Sequence, residues 1–261
     1  LGLYEREQPD ISLVKDLYNV KVSINGYNHV YDYNQRFDKP IEPTEDDLNV
    51  GVKYKNKFTG SYNRAIYEAD YNYTTQDGKN ELEVYVTYQL RMNNESSNLT
   101  TQINSIVDYY DSNYTLCGVG TSLNNDTMDV QKNIDYGVLD YNENYNKLTI
   151  NNNTKIDHGK YADIYVQFKL NRQAVINIIN NKENLDNVAE INSYSVFDEK
   201  GIYAGIDKDS NPGNANPADV TTHQDDTSSA PGLLLEVAAA REMTGKVFFD
   251  ESTGGVGVVR E

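Results

Sequence analysis

The chain has 261 residues, enough for one large domain or two ordinary ones, and carries 23 Lys plus Arg against 40 Asp plus Glu, a formal net charge of -17. That balance argues against nucleic acid or an anionic membrane as partner, since both bind basic surfaces. Apolar residues make up only 38%, 22 tyrosines fill the shortfall beside 6 Phe and no Trp, and the single cysteine, Cys117, excludes an intramolecular disulfide.

No run approaches the roughly 20 apolar residues that span a bilayer. The N-terminus has no basic-then-apolar signal pattern. The chain opens at Leu1 and stops inside a Gly-Val-rich stretch, so it reads as a piece of a longer protein.

In chain order, the first stretch is Pro9 to Leu17, where Ile11, Leu13, Lys15 and Leu17 form one strand face that is apolar except for the lysine. An ammonium in a core must pair, lose its proton, swing out or react, because its burial alone is too costly. Tyr18 to Ile24 alternates with period two, and Asn25-Gly26 turns it into a strand at Tyr27 to Tyr33. Residues 38 to 48, with Pro40, Pro43 and the run Glu45-Asp46-Asp47, form an acidic loop. Val50 to Tyr54 and Tyr62 to Ile66 are expected strands around it.

Asp77-Gly78 turns into the clearest strand, Leu82 to Met92, with Leu82, Val84, Val86, Tyr88 and Leu90 facing inward. After the polar turn Asn93 to Asn98, Leu99 to Tyr110 carries Ile103, Ile106 and Val107 with Asp108 among them. Short strands are expected at Tyr114 to Val119 and Leu148 to Ile150, and a core strand at Tyr161 to Leu170. In residues 172 to 182, Ala174, Val175, Ile178 and Ile179 have helical spacing after an Asn171 cap. Strand character returns at Asn187 to Phe197, the segment Gly201 to Gly232 reads as an extended acidic loop, and Leu233 to Val237 and Gly245 to Asp250 close the list as strands. Many short strands with one helix predict a mainly β protein, an antiparallel immunoglobulin-like β-sandwich with one short helix and a long acidic loop.

Few motifs carry chemistry. His29, His158 and His223 lie scattered in polar turns without ligand spacing, and there is no nucleophile elbow, phosphate loop or paired-cysteine zinc pattern. Cys117 reads as a small buried hydrophobe rather than a thioester partner. Asp207, Asp209 and Asn211 place oxygen side chains at alternate positions, as calcium loops do, and Asp225 and Asp226 could add ligands. The EF-hand pattern nevertheless fails at Pro212, where it needs glycine, so a solvated acidic loop is the plainer reading and calcium the only cofactor suggested.

Four motifs in order resemble repeat domains of long, cell-wall-anchored surface proteins of Gram-positive bacteria. They are Pro-Asp-Ile-Ser-Leu-Val-Lys at 9 to 15, the strand 82 to 92 with Asn93-Asn94-Glu95, Asn104 to Tyr110, and Asn187 to Ile191 with Ala204 to Asn214. Arg241 to Glu251 is similar to the first strand of a collagen-adhesin B-type domain. The resemblance implies a linker at 1 to 8, an immunoglobulin-like surface-protein domain at 9 to 240, and the start of a following β-domain at 241 to 261. It implies an extracellular stalk or adhesin module, neither enzyme nor nucleic-acid binder, without membrane contact of its own, whose partners are neighbouring domains of the same protein.

Many such domains resembling this one carry an intramolecular isopeptide bond, which implies Lys15 as nucleophile, Asn187 as electrophile and Asp108 as catalytic acid. Residue parity agrees: Asn187 shares a face with Ala189 and Ile191, and Asp108 with Ile106 and Tyr110, although Val107 and Tyr109 compete for that face. Asn192 is the reserve electrophile, and Glu190 or Asp16 the reserve acid. The alternatives are a lysine that snorkels or only pairs with Asp108 and, at the level of function, a domain whose tyrosine-rich faces bind a host glycan or protein.

Overall fold

The computed structural model of the chain describes residues 7–24, 27–32, 54–56, 59–60, 64–68, 82–171, 174, 187–203, 205–219, 224–230, 234–238, 246–250 and 255–259. Its strands are β1 (Ile11–Ile24), β2 (Tyr27–Asp32), β3 (Tyr54–Asn56), β4 (Thr59–Gly60), β5 (Arg64–Glu68), β6 (Leu82–Asn94), β7 (Thr100–Asp111), β8 (Tyr114–Gly120) and β9 (Tyr136–Asp140). They continue with β10 (Tyr145–Ile156), β11 (Tyr161–Leu170), β12 (Asn187–Asp198), β13 (Gly201–Tyr203), β14 (Thr227–Ala230), β15 (Leu234–Ala238), β16 (Lys246–Asp250) and β17 (Gly255–Val259).

Alternating side chains make each long strand apolar on one side, so two sheets must close on each other. One sheet has the order β2-β1-β6-β11-β8, the other β13-β12-β7-β10-β9 with β14 beside β12, and every pairing within them is antiparallel. One core unites them: Leu13, Leu17, Val86, Leu90, Val166 and Phe168 from the first sheet lie in the same cluster as Ile103, Ile106, Leu148, Ile150 and Ile191 from the second. The chain is thus the expected mainly antiparallel β-sandwich.

Irregularities do specific work on the register. Between Leu17 and Asn19 the β1–β6 pairing shifts, leaving Tyr18 as the extra residue of a bulge. Leu17 before it and Val20 after it are both in the core, so the bulge exchanges odd for even parity and fuses the two expected strands into one. Asn94 closes the turn after β6 from inside, its Nδ2 donating to the carbonyls of Leu99 (2.7 Å) and Ile156 (2.8 Å) while its Oδ1 accepts the amide of Ser96 (3.1 Å).

The connection from β8 to β9 is tied to the outer face of the first sheet, with Gln167 Nε2 donating to Met128 O (2.9 Å) and to Thr87 Oγ1 (3.0 Å). Lys21 Nζ donates to Thr127 O (3.2 Å) and pairs with Asp129. Gly120 sits under this connection, and a methyl group there would overlap the carbonyl oxygen of Gln131. Gly120→Ala is therefore expected to lower stability by about 1–3 kcal/mol, read from the urea midpoint.

The structure corrects several sequence expectations. The brief strand expected at Leu148 to Ile150 is the middle of twelve-residue β10, and β9, unforeseen, pairs with it. The segment Gly201 to Gly232 is not without elements, since it holds β13 and β14, both paired with β12. β15 pairs in parallel with β5, and β16 with β17 as a hairpin. The body of the expected helix at 172 to 182 lies outside the described residues, as do the acidic loop at 38 to 48 and the turns Asn25-Gly26 and Asp77-Gly78. Asn171 Oδ1 does accept the amide of Ala174 (2.8 Å), the bond of a helix N-cap.

Candidate functional site

Lys15 enters the core because its strand neighbours demand it. Leu13 and Leu17, two residues to either side, are fully buried, and period two leaves Lys15 no other direction. Its side chain is 0% exposed, as is that of Asp108 on β7, the strand between β12 and β10. Asp108 stands opposite Ala189 of β12, and Asn187, also buried, lies two residues along on the same face. The competing face of β7 belongs to a separate outer cluster of Val107, Tyr109 and Tyr145.

The three groups from opposite sheets meet. Lys15 Nζ donates to Asp108 Oδ2 at 2.6 Å and also to Asn187 Oδ1. Asp108 Oδ1 and Asn187 Nδ2 are buried without a hydrogen-bond partner. The Tyr88 ring lies 5.0 Å from Nζ and packs on Phe168, which also contacts Tyr110 and Tyr114, and the ammonium is shut off from solvent.

Electrostatics follow from this dryness. Burial drives the Lys15 ammonium down to about 8 against the opposing pull of Asp108. Burial likewise raises Asp108 above the usual carboxylate range, although Lys15 pulls it down. Both shifts favour the neutral forms, an amine with a free lone pair beside a carboxylic acid. The amide carbon of Asn187 is the electrophile within reach, and an acid that protonates its oxygen would activate it.

The reserve residues do not join this site. Asn192, at the bulge between Ile191 and Ser193, is exposed and donates to Ser105 Oγ (3.0 Å). Asp16 belongs to the opposite face of β1, where its Oδ1 accepts the amide of Leu17 (2.7 Å). Glu190 is buried, but its Oε1 accepts the amides of Asn214 (2.6 Å) and Ala215 (2.8 Å).

The expected calcium residues separate. Asp207 is turned inward, its Oδ1 on the amide of Ile11 (3.0 Å) and its Oδ2 on the amide (3.1 Å) and hydroxyl (2.5 Å) of Ser210. Asp209 instead lies with Asp10 and Asp225, and one carboxylate oxygen from each of the three falls within 4.8 Å of the others. The Asn211 amide donates to Gln224 Oε1 (2.8 Å). Asp10, Asp209 and Asp225 are thus the carboxylates that could share a hard cation, although Lys208 Nζ already balances Asp10 at 3.0 Å.

Parity could not reveal the group packed behind this turn. Asp226 is fully buried, with its Oδ2 lacking a hydrogen-bond partner. Burial and the neighbouring Glu190 push it up to about 7, and burial with Asp209 and Asp207 does the same to Asp225. Of the three histidines, His158 sits in an exposed turn, and the side chains of His29 and His223 lie outside the described residues. Cys117 is half-buried and free, its thiol pushed up by burial. No family model matches this chain, and no curated protein shows significant similarity to it.

Proposed function

We propose that this chain is a structural module of a bacterial cell-surface stalk or adhesin, with its two sheets joined by an autocatalytic isopeptide bond between Lys15 and Asn187. The observation that carries the reading is the meeting of a buried lysine, a buried acid and a buried asparagine across the sandwich, beside the Tyr88 ring. A core does not accept that combination for its own sake, since an apolar trio of equal volume would cost less.

The neutral amine of Lys15 attacks Cγ of Asn187 while the Asp108 acid gives a proton to Oδ1. The tetrahedral centre then collapses: a proton from the former lysine nitrogen passes by way of Asp108 to Nδ2, the Cγ–Nδ2 bond breaks and ammonia leaves, and the proton on Oδ1 returns to Asp108 as the carbonyl re-forms. One amide is formed and one lost, and Asp108 ends as it began. The reaction occurs once per molecule, so it is maturation and not turnover.

The bond would close a span of 172 residues. By the loop-entropy relation used for disulfides, it would contribute about 5 kcal/mol. Tension entering at β1 would pass directly to β12 without opening the sandwich, which suits a module placed outside the cell between neighbouring domains. Intact mass spectrometry tests the reading: the folded chain is expected to be lighter than its sequence by one ammonia, with Lys15 and Asn187 in one branched peptide. A chain of unmodified mass would overturn it.

A second reading, recognition of a host protein or glycan, is favoured by edge strand β9, where Tyr136, Val138 and Leu139 are exposed beside exposed Tyr141. Binding of the isolated chain to host matrix or glycan arrays would favour it.

A further inference from the structure

Strand β1 is paired with β2 over Asn19–Ile24, and among the described residues no further strand ladder covers that edge of the half that carries Lys15. Three amides point from that edge, and the segment 207–228 satisfies each of them. Ile11 donates to Asp207 Oδ1 (3.0 Å), Leu13 to Asp225 O (2.8 Å) and Lys15 to Ser228 Oγ (2.9 Å). The same short stretch holds the other sheet. β14 pairs with β12 from Asn187↔Ala230 to Glu190↔Thr227, and Ile191 donates its amide to Asp226 O (2.9 Å).

β14 is thus a bridge across the seam of the sandwich at the level of the reactive pair. All four of its residues are buried, although three are hydroxyl-bearing. Ser228 is 2% exposed, and its hydroxyl oxygen fixes the backbone of the residue whose side chain must reach Asn187, while Ala230 is the ladder partner of Asn187 itself. Nucleophile and electrophile come from different sheets, with no strand pairing between β1 and β12, and this four-residue strand connects them.

We propose that Ser228 is a positioning residue for the cross-link: its hydroxyl sets the β1 backbone at Lys15 so that the amine meets the Asn187 amide, and the bond forms only once Thr227–Ala230 has docked. The proposal rests on the cross-link reading above and adds its register element. Effective intramolecular reaction depends on placement, and a backbone left unpinned at Lys15 loses the near-attack geometry while the rest of the sandwich stays in place.

The test follows ammonia loss by intact mass in freshly synthesised full-length chain, with hydrogen exchange of the β6 and β11 amides reporting whether the sandwich has formed. Ser228→Ala is expected to slow the mass change at least about tenfold in molecules whose β6 and β11 amides are already protected. Because Ala could leave the seam too loose to fold, the isosteric pair Ser228→Thr and Ser228→Val provides a second comparison: the hydroxyl-bearing variant is expected to react about tenfold faster than the methyl-bearing one. Equal rates for Thr and Val, or a wild-type rate in folded Ser228→Ala, would overturn the role of Ser228 and leave the cross-link itself standing. Wild-type chain that never loses ammonia would overturn the cross-link reading and this proposal with it.

Discussion

Asp108→Ala is expected to abolish the loss of ammonia and to leave much of the protein unfolded at room temperature. Two losses combine. The cross-link, worth about 5 kcal/mol for so long a span, does not form without the acid. Lys15 then stays in the core with its hydrogen-bonding acid partner gone, a defect that costs about 3–5 kcal/mol when one member of a buried pair is removed. Domains hold roughly 5–15 kcal/mol in all, so the sum is comparable with the whole. The two parts can be separated. Lys15→Met with Asp108→Leu removes the buried charges together, so it is expected to recover the second loss but not the first. If wild type exceeds this double variant by several kcal/mol in urea unfolding, the difference measures the bond. If the double variant is the more stable protein, the trio is an ordinary buried pair and no bond forms. The single variant also has a signed pH dependence. Its lysine has a folded pKa below the unfolded value near 10.4, so the unfolded chain binds more protons and stability falls as pH falls below that value. Measured against wild type, in which Asp225 and Asp226 titrate alike, Asp108→Ala should therefore lose more stability at pH 6 than at pH 9.

The trio was named by the resemblance, and period-two alternation agreed with it. Leu13 and Leu17 fix the direction of Lys15, Ala189 and Ile191 that of Asn187, and Ile106 and Tyr110 that of Asp108, because in a half-buried strand each residue inherits the face of its second neighbours. Alternation fails where a bulge breaks it, as at Tyr18, across which the inward parity passes from Leu17 to Val20. Asn192 has the outward parity beside Ile191, and it ends in solvent rather than in reserve for Asn187. Alternation also fails where both faces are covered. Thr227-Ser228-Ser229-Ala230 shows neither an apolar stripe nor a turn signal, yet it is wholly buried, since its backbone pairs with β12 while the Ser228 hydroxyl takes an amide of β1. No local pattern could place β14, because what makes it a strand is the unfilled edges of β1 and β12. The same holds for the acids around it. Asp207 and Glu190 look like solvated loop and strand residues in sequence, and each instead caps amides of a distant segment.

Those acids set the second large expectation: cooling the solution's basicity should strengthen the fold, with the melting temperature rising as pH is lowered from about 8 to about 5. Asp226 is fully buried among Glu190, Asp207, Thr227 and Ser210, and burial holds it at about 7 against an ordinary 3.8. Its folded pKa exceeds its unfolded one, so the native state binds more protons between those values. Stability is therefore complete at low pH and is lost as pH rises through about 7. A shift of about three units corresponds to at most about 4 kcal/mol for this one group. Asp225, half-exposed, is also raised to about 7 by burial and by the charge of Asp209, and adds a smaller part in the same direction, because water screens it. Glu190 and Asp207 are raised too, chiefly by burial. Lys208 cannot offset them, since its ammonium is exposed and engaged with Asp10. Glu83 and Asp129 are held low, so they act the other way, but only as pH falls below the ordinary carboxylate range. Asp226→Asn removes the largest contributor while keeping its shape and the Oδ1 acceptor for the Thr227 hydroxyl. Calorimetry across that pH range should show a variant more stable than wild type at pH 8, with a clearly reduced slope. A wild-type melting temperature that climbs with pH, or an Asn variant that keeps the full slope, would show that the carboxylates behind β14 do not hold their protons.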